Sequence, residues 1–182
     1  MPDPDSSAAA ADGSAPGPLS LVQSFANTLS ADGDGDLLRA REEAATWLRA
    51  AGLLPADSGV TGSEHAALLR LRDSIREVLA AHADGHRDAD AAARLTKALA
   101  DGRLVLTVDS ASTVSLASAA RASYPNIVAV IAVAIAASAA DGTWLNLKAC
   151  GAPGCGRAFY DGSASAAADR CAAHDPAGPP GD

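Results

Sequence analysis

The run IVAVIAVAIAASAA, from Ile127 to Ala140, holds no polar side chain before Ser138. At 1.5 Å per residue a helix of this length reaches about 21 Å, short of the roughly 30 Å of a bilayer's hydrocarbon core. The segment therefore predicts no membrane span. It predicts a central helix buried in a soluble core, around which the rest of the chain must wrap. Pro125 suits the first turn of such a helix, and Asp141-Gly142 suits its end. Aromatic residues are scarce (two each of Phe, Tyr and Trp), so the core has to come from Leu, Val, Ile and Ala. Alanine loses no side-chain entropy in a helix, which favours a mainly α fold.

Apolar spacing elsewhere supports this class. LSLVQSFANTL, Leu19 to Leu29, has an inward face of Leu21, Val22, Phe25, Ala26 and Leu29. Asp36 is the expected N-cap of LLRAREEAATWLRAAG, with Leu37, Leu38, Ala44, Ala45, Trp47 and Leu48 on its buried side and Gly52 as its stop. SEHAALLRLRDSIREVLAAHADG, opened by Ser63, buries Leu68, Leu71, Ile75, Val78 and Leu79. It leaves Arg70, Arg72, Asp73, Arg76 and Glu77 mostly wet. A shorter helix is expected from about Asp88 to Ala100. RLVLTV and STVSLAS then switch to β-branched alternation around Asp109-Ser110-Ala111, which predicts a small hairpin near residues 103–117.

Residues 1–18 and 176–182 are rich in Pro, Gly, Ser and Asp, and are expected to be disordered. The first of these lacks the charged and apolar regions of a secretion signal, so a cytoplasmic protein is expected. Net charge is −8, which by itself disfavours binding to a polyanion.

All three cysteines lie in CGAPGCGRAFYDGSASAAADRC, at Cys150, Cys155 and Cys171. Their number forbids complete intramolecular disulfide pairing, and clustered thiols in a reducing compartment suit a metal. A structural zinc ion takes four N or S ligands, delivered as two short loops. Cys150 and Cys155 form one loop, with Gly151, Pro153, Gly154 and Gly156 permitting a tight backbone. Cys171 begins the second, and His174 is the next usable ligand. The bland alternative is three reduced thiols in a remnant loop.

The chain resembles the CGNR zinc-finger family, which joins an N-terminal ABATE domain, named for stress-induced transcription regulation, to a C-terminal zinc finger. The resemblance runs from about Leu19 to Cys171. It is carried by Ala26-Asn27-Thr28, WLRAAGL at Trp47 to Leu53, LRLRDSIREVL, the apolar helix, and Cys150-x4-Cys155 followed by Phe159-Tyr160-Asp161, Ser163 and Cys171. It implies an ABATE-like helical domain over 19–142 and a zinc-finger-like module over 143–175. The family pattern places a fourth cysteine where Pro176 stands here, with Ala177-Gly178-Pro179 replacing the rest of the signature. His174 is thus a substitute ligand. The basic residues expected to meet DNA phosphates are also missing: from Cys150 onward only Arg157 and Arg170 oppose Asp161, Asp169, Asp175 and Asp182.

Two functions remain open. One is a regulator whose helical domain senses a small-molecule effector or forms a homodimer while the finger engages DNA. The other is a member with weakened or lost DNA binding, serving as a small-molecule or protein-interaction module with a purely structural cysteine cluster. Asn27 and Thr28, polar in an apolar stretch, are explained by a buried hydrogen-bond network or by a ligand pocket. Asp32, Asp34, Asp36 and Glu43 have calcium-loop spacing, but Leu37 occupies the position that requires glycine, so an acidic turn is expected. His65, His82 and His86 read as exposed helix-end residues. No P-loop, dinucleotide fingerprint or nucleophile elbow is present, and no enzyme is expected.

Overall fold

The structure is a computed structural model describing residues 13–30, 35–119 and 124–175. The expected disordered stretches before residue 13 and after residue 175 lie outside the described residues. Five helices occur among the described residues: α1 (Leu19–Ala26), α2 (Arg41–Ala50), α3 (Gly62–Ala83), α4 (Ala89–Leu99) and α5 (Tyr124–Ala140). Two antiparallel hairpins accompany them, β1 (Leu104–Val108) with β2 (Val114–Ser118), and β3 (Leu147–Ala149) with β4 (Ala158–Tyr160). The fold is mainly helical, as the periodicity implied.

Local chemistry sets the helix starts. Thr61 and Glu64 cap α3 reciprocally: the Glu64 amide donates to Thr61 Oγ1, and the Thr61 amide donates to Glu64 Oε2. Asp88 caps α4 by accepting from the amides of Asp90 and Ala91. At α2 the sequence expectation fails. The helix begins at Arg41, after Ala40, whose amide donates to Glu43. Asp36 instead turns the chain by accepting from the Leu38 amide, and it pairs with Arg72 at 2.5 Å. A bridge between Leu29 and Asp36 holds this turn extended, so Leu38 is fully buried while Leu37 is 54% exposed. Arg72, expected in solvent, is 4% exposed for the same reason.

The main apolar core draws on all five helices and on β3 and β4, and a second, smaller buried cluster joins Phe159 to the three cysteines. Ile127, Val128, Ile131 and Ala134 anchor α5 within the main core, whereas Ala136, Ala137, Ala139 and Ala140 reach the surface. The apolar run is therefore buried over its first half rather than along its whole length. All three β3 residues are buried, and Leu147 belongs to the same core. The C-terminal hairpin is thereby packed into the helical body rather than appended to it. Among the described residues, no helix is long and apolar enough to cross a membrane.

Candidate metal centre

The loop joining β3 to β4 carries Cys150 and Cys155. Its base is closed where the Cys150 amide donates to Arg157 O at 2.8 Å, and its turn where the Cys155 amide donates to Ala152 O at 3.0 Å. Gly154 and Gly156 take φ of +80° and +58°. At Gly156 the positive φ favours glycine, and a Cβ there would also lie 2.9 Å from the Arg76 guanidinium, which would have to shift. The second loop is held by a buried pair. Lys148 Nζ donates to Asp161 Oδ2 (3.0 Å) and to the carbonyls of Ala166 and Ala168 (2.5 and 2.9 Å). Asp161 also accepts from the amide and hydroxyl of Ser163 and from the Ala168 amide. Burial alone would raise the Asp161 carboxyl's pKa; these donors together hold it below the ordinary value. A bond from the Gly151 amide to Asp169 O (2.8 Å) ties the two loops together.

The result is one cluster. The ligand atoms of Cys150, Cys155, Cys171 and His174 all lie within 4.8 Å of one another. His174 Nδ1 is 3.4 Å from Cys171 Sγ and 3.8 Å from Cys150 Sγ, and the sulfurs of Cys155 and Cys171 are 4.0 Å apart. Bond lengths of about 2.3 Å to sulfur and about 2.0 Å to nitrogen give a zinc tetrahedron edges of about 3.8 Å (S–S) and about 3.6 Å (S–N). The two S–N distances bracket the expected edge, and the S–S distance of 4.0 Å lies slightly above it. The three sulfurs are buried and His174 is exposed.

Electrostatics point the same way. Burial pushes the Cys155 thiol up to about 11. At Cys150 burial also raises the value, but the amides of Cys171 and Ala152, aimed at the sulfur, bring it below that of an ordinary thiol. A cation held at the cluster would favour the thiolate form of the buried Cys155. The donor set and its spacing thus fit a metal ion.

Side chains of the helical body meet the C-terminal hairpin and the segments beside it. On one face of α1, Gln23 donates to Gly13 O and accepts from the Ala15 amide, and Asn27 pairs with Ala158 in both directions, accepting at 2.8 Å and donating at 2.9 Å. Arg76 Nη1 donates to Ala26 O, and His82 Nδ1 donates to Leu147 O. Residues 13–18, read from sequence as part of a loose lead-in, are tied down here: Ala15 is buried, and Gly13 O also accepts from the Tyr160 amide. Asn27 and Thr28, named as ligand-pocket candidates, have their polar groups engaged by the chain's own backbone, Thr28 through Phe25 O. The hydrogen-bond network is the reading that the geometry supports. His65 and His82 are likewise not free helix-end residues, since His65 Nε2 donates to Leu38 O at 2.6 Å. Asp32 and Asp34 fall outside the described residues; Asp36 is paired with Arg72, and Glu43 with Arg39 and the Ala40 amide.

Comparison with known families decides what the helical body is. The family model ABATE, "Putative stress-induced transcription regulator", matches residues 19–142. The chain belongs to the ABATE family. The description is that of a regulator and not of an enzyme, in keeping with the sequence reading. Asn27 and His82, which bond to the C-terminal hairpin, both lie inside the ABATE match, so this part of the chain supports the Cys/His cluster. The match ends ahead of Cys150, and the Cys/His cluster therefore stands on its own geometry. No curated protein matches the chain.

Proposed function

We propose that this protein is a regulator of the ABATE family in which a CGNR-type finger survives as a structural zinc clasp and has largely lost its grip on DNA. The carrying observation is the convergence of the Cys150, Cys155, Cys171 and His174 ligand atoms within 4.8 Å of one another. Four protein ligands leave no open position for a water or substrate, which is the pattern of structural rather than catalytic zinc. The ion would supply positive charge that fixes two loops to each other; Lys148, Asp161 and Asn27 position those loops. Reduced thiolates of this kind suit the cytoplasm.

The weakened DNA contact is supported by charge. Lys148 and Asp161 neutralise each other in the interior, leaving Arg157 and Arg170 against Asp169 and Asp175 on the described surface of the module. Three thiolates around a dication add one further negative charge. Two arginines supply too few phosphate contacts for useful affinity at physiological salt. Regulation is then exerted through protein contacts or an effector held by the helical body.

Elemental analysis and a gel shift test the two halves separately. About one zinc per chain is expected, lost from the Cys150→Ser and Cys171→Ser variants; a fully folded, metal-free chain would reject the clasp. No shift of duplex DNA is expected at about 10 μM protein in low salt, and a salt-sensitive shift would reject the loss of DNA binding.

A further inference from the structure

A cleft of about 630 Å³ lies where α3, α4 and the first residue of α5 meet. Its size is that of sites that hold small molecules. Helical spacing builds both walls: Arg70, Ser74 and Glu77 recur along one side of α3, and Arg94, Lys97 and Asp101 along α4 and the turn after it. Ala67, Ala98 and Ala100 are too short to fill the space between them. The half-buried Tyr124 lines the end nearest α5.

Only some of the charges in this cleft are answered by the chain. Arg94 Nε donates to Glu77 Oε2 at 2.6 Å, and Asp73 is paired with Arg72. Among the described residues, the side chains of Arg70, Lys97 and Asp101 and the Tyr124 hydroxyl have no hydrogen-bond or ion-pair partner. Two uncompensated cations thus face one uncompensated carboxylate, in a chain of net charge −8. These groups are close enough to act on one another. Burial and the Asp101 charge raise the pKa of the Tyr124 phenol, and the Arg70 charge opposes them. Lys97 stands in the last turn of α4, where a cation suits the helix dipole, but that explains neither Arg70 in the middle of α3 nor the idle phenol.

We propose that this cleft binds a small organic acid, an anionic group on an apolar body. Arg70 and Lys97 hold the anion, the Tyr124 hydroxyl donates to it, and Ala67, Ala98 and the Tyr124 ring cover the body. A carboxylate or a phosphate monoester supplies such an anion, whereas a bare inorganic anion leaves the apolar floor uncovered. Such a ligand is the effector that the regulator reading above leaves to the helical body; the cleft rests on that reading only for what binding accomplishes.

NMR titration of the full, zinc-replete chain with benzoate, benzamide and inorganic phosphate tests this. Benzoate carries both features, benzamide the shape without the charge, and phosphate the charge without the body. Saturable benzoate binding with a dissociation constant of about 1 mM is expected, its shifts confined to α3, α4 and the start of α5. Benzamide and phosphate should each bind at least about fivefold more weakly. Arg70→Gln and Lys97→Gln should each weaken benzoate by about fivefold or more, with circular dichroism unchanged, while Arg41→Gln on α2 should leave it as it is. No saturation by benzoate at about 20 mM overturns the proposal. So does benzamide or phosphate binding as tightly as benzoate, or an affinity indifferent to both substitutions in the cleft. None of these results touches the zinc clasp, and benzoate binding would persist in a chain that shifts DNA, so failure here and failure of the regulator reading are told apart.

Discussion

Replacing Lys148 with Met probes the interior of the Cys/His module most sharply. The side chains of Lys148 and Asp161 are 5% and 3% exposed, and Met preserves most of the volume of the lysine stem. The substitution leaves the Asp161 carboxylate buried without its counter-ion and removes the donor to Ala166 O and Ala168 O. Breaking a buried pair from one side costs about 3–5 kcal/mol. Asp161 keeps the amide and hydroxyl of Ser163 and the Ala168 amide, so a loss near the lower end, about 3 kcal/mol, is expected. Because residues 161–168 lead into Cys171, zinc affinity should also fall by about 10- to 100-fold, the usual effect of loosening what supports a ligand. Urea unfolding at fixed free zinc measures the first effect, and competition with a chromogenic chelator the second. The Lys148→Met, Asp161→Asn double variant removes the buried charge and should recover about 1–2 kcal/mol. Loss below about 1 kcal/mol with unchanged zinc affinity, or no recovery in the double variant, would refute the reasoning.

Three further outcomes follow from the seam between body and finger. Asn27→Asp sets a carboxylate oxygen against Ala158 O where an amide now donates, and should cost about 2–3 kcal/mol in urea unfolding while leaving zinc stoichiometry intact. Gly156→Ala should destabilise more than Gly154→Ala, although both glycines are left-handed, because only Gly156 abuts Arg76; the backbone share is about 1–2 kcal/mol in each. Burial, aided by the Lys148 charge and opposed by the bond to Leu147 O, lowers the pKa of the His82 imidazole. The unfolded chain then binds the proton more tightly, so the His82 contribution is full above about pH 6.5 and is lost as pH falls through the folded value. The stability gap between the native chain and His82→Gln should therefore narrow from pH 7.5 to pH 5.5, and a constant gap would contradict this.

Periodic features were legible in the chain because they depend on near neighbours. The stripe of Leu68, Leu71, Ile75 and Leu79, the short helix from about Asp88 and the alternation of β1 and β2 each need only a few residues to declare themselves. The cysteine cluster was legible for a different reason, since thiols and a histidine at loop spacing have few other uses. Buried charge was not legible. Arg72 and Lys148 sit in stretches that read as wet or ambiguous, and their partners lie 36 and 13 residues away. Asp36 looked like a cap because no local signal distinguishes a carboxylate that accepts from the next turn's amides from one claimed by a distant guanidinium. Asn27 was recognised as polar in an apolar setting, but its partner, Ala158, is 131 residues distant. The hairpin was anticipated as an element, whereas its exposure on both faces depends on packing that alternation does not encode.

Zinc K-edge absorption on the freshly purified, untagged chain tests the central claim most directly. The account predicts a first shell of three sulfurs at about 2.3 Å and one nitrogen at about 2.0 Å, with the nitrogen lost or replaced by oxygen in His174→Ala. A shell with fewer than three sulfurs, or one unchanged in His174→Ala, would contradict it.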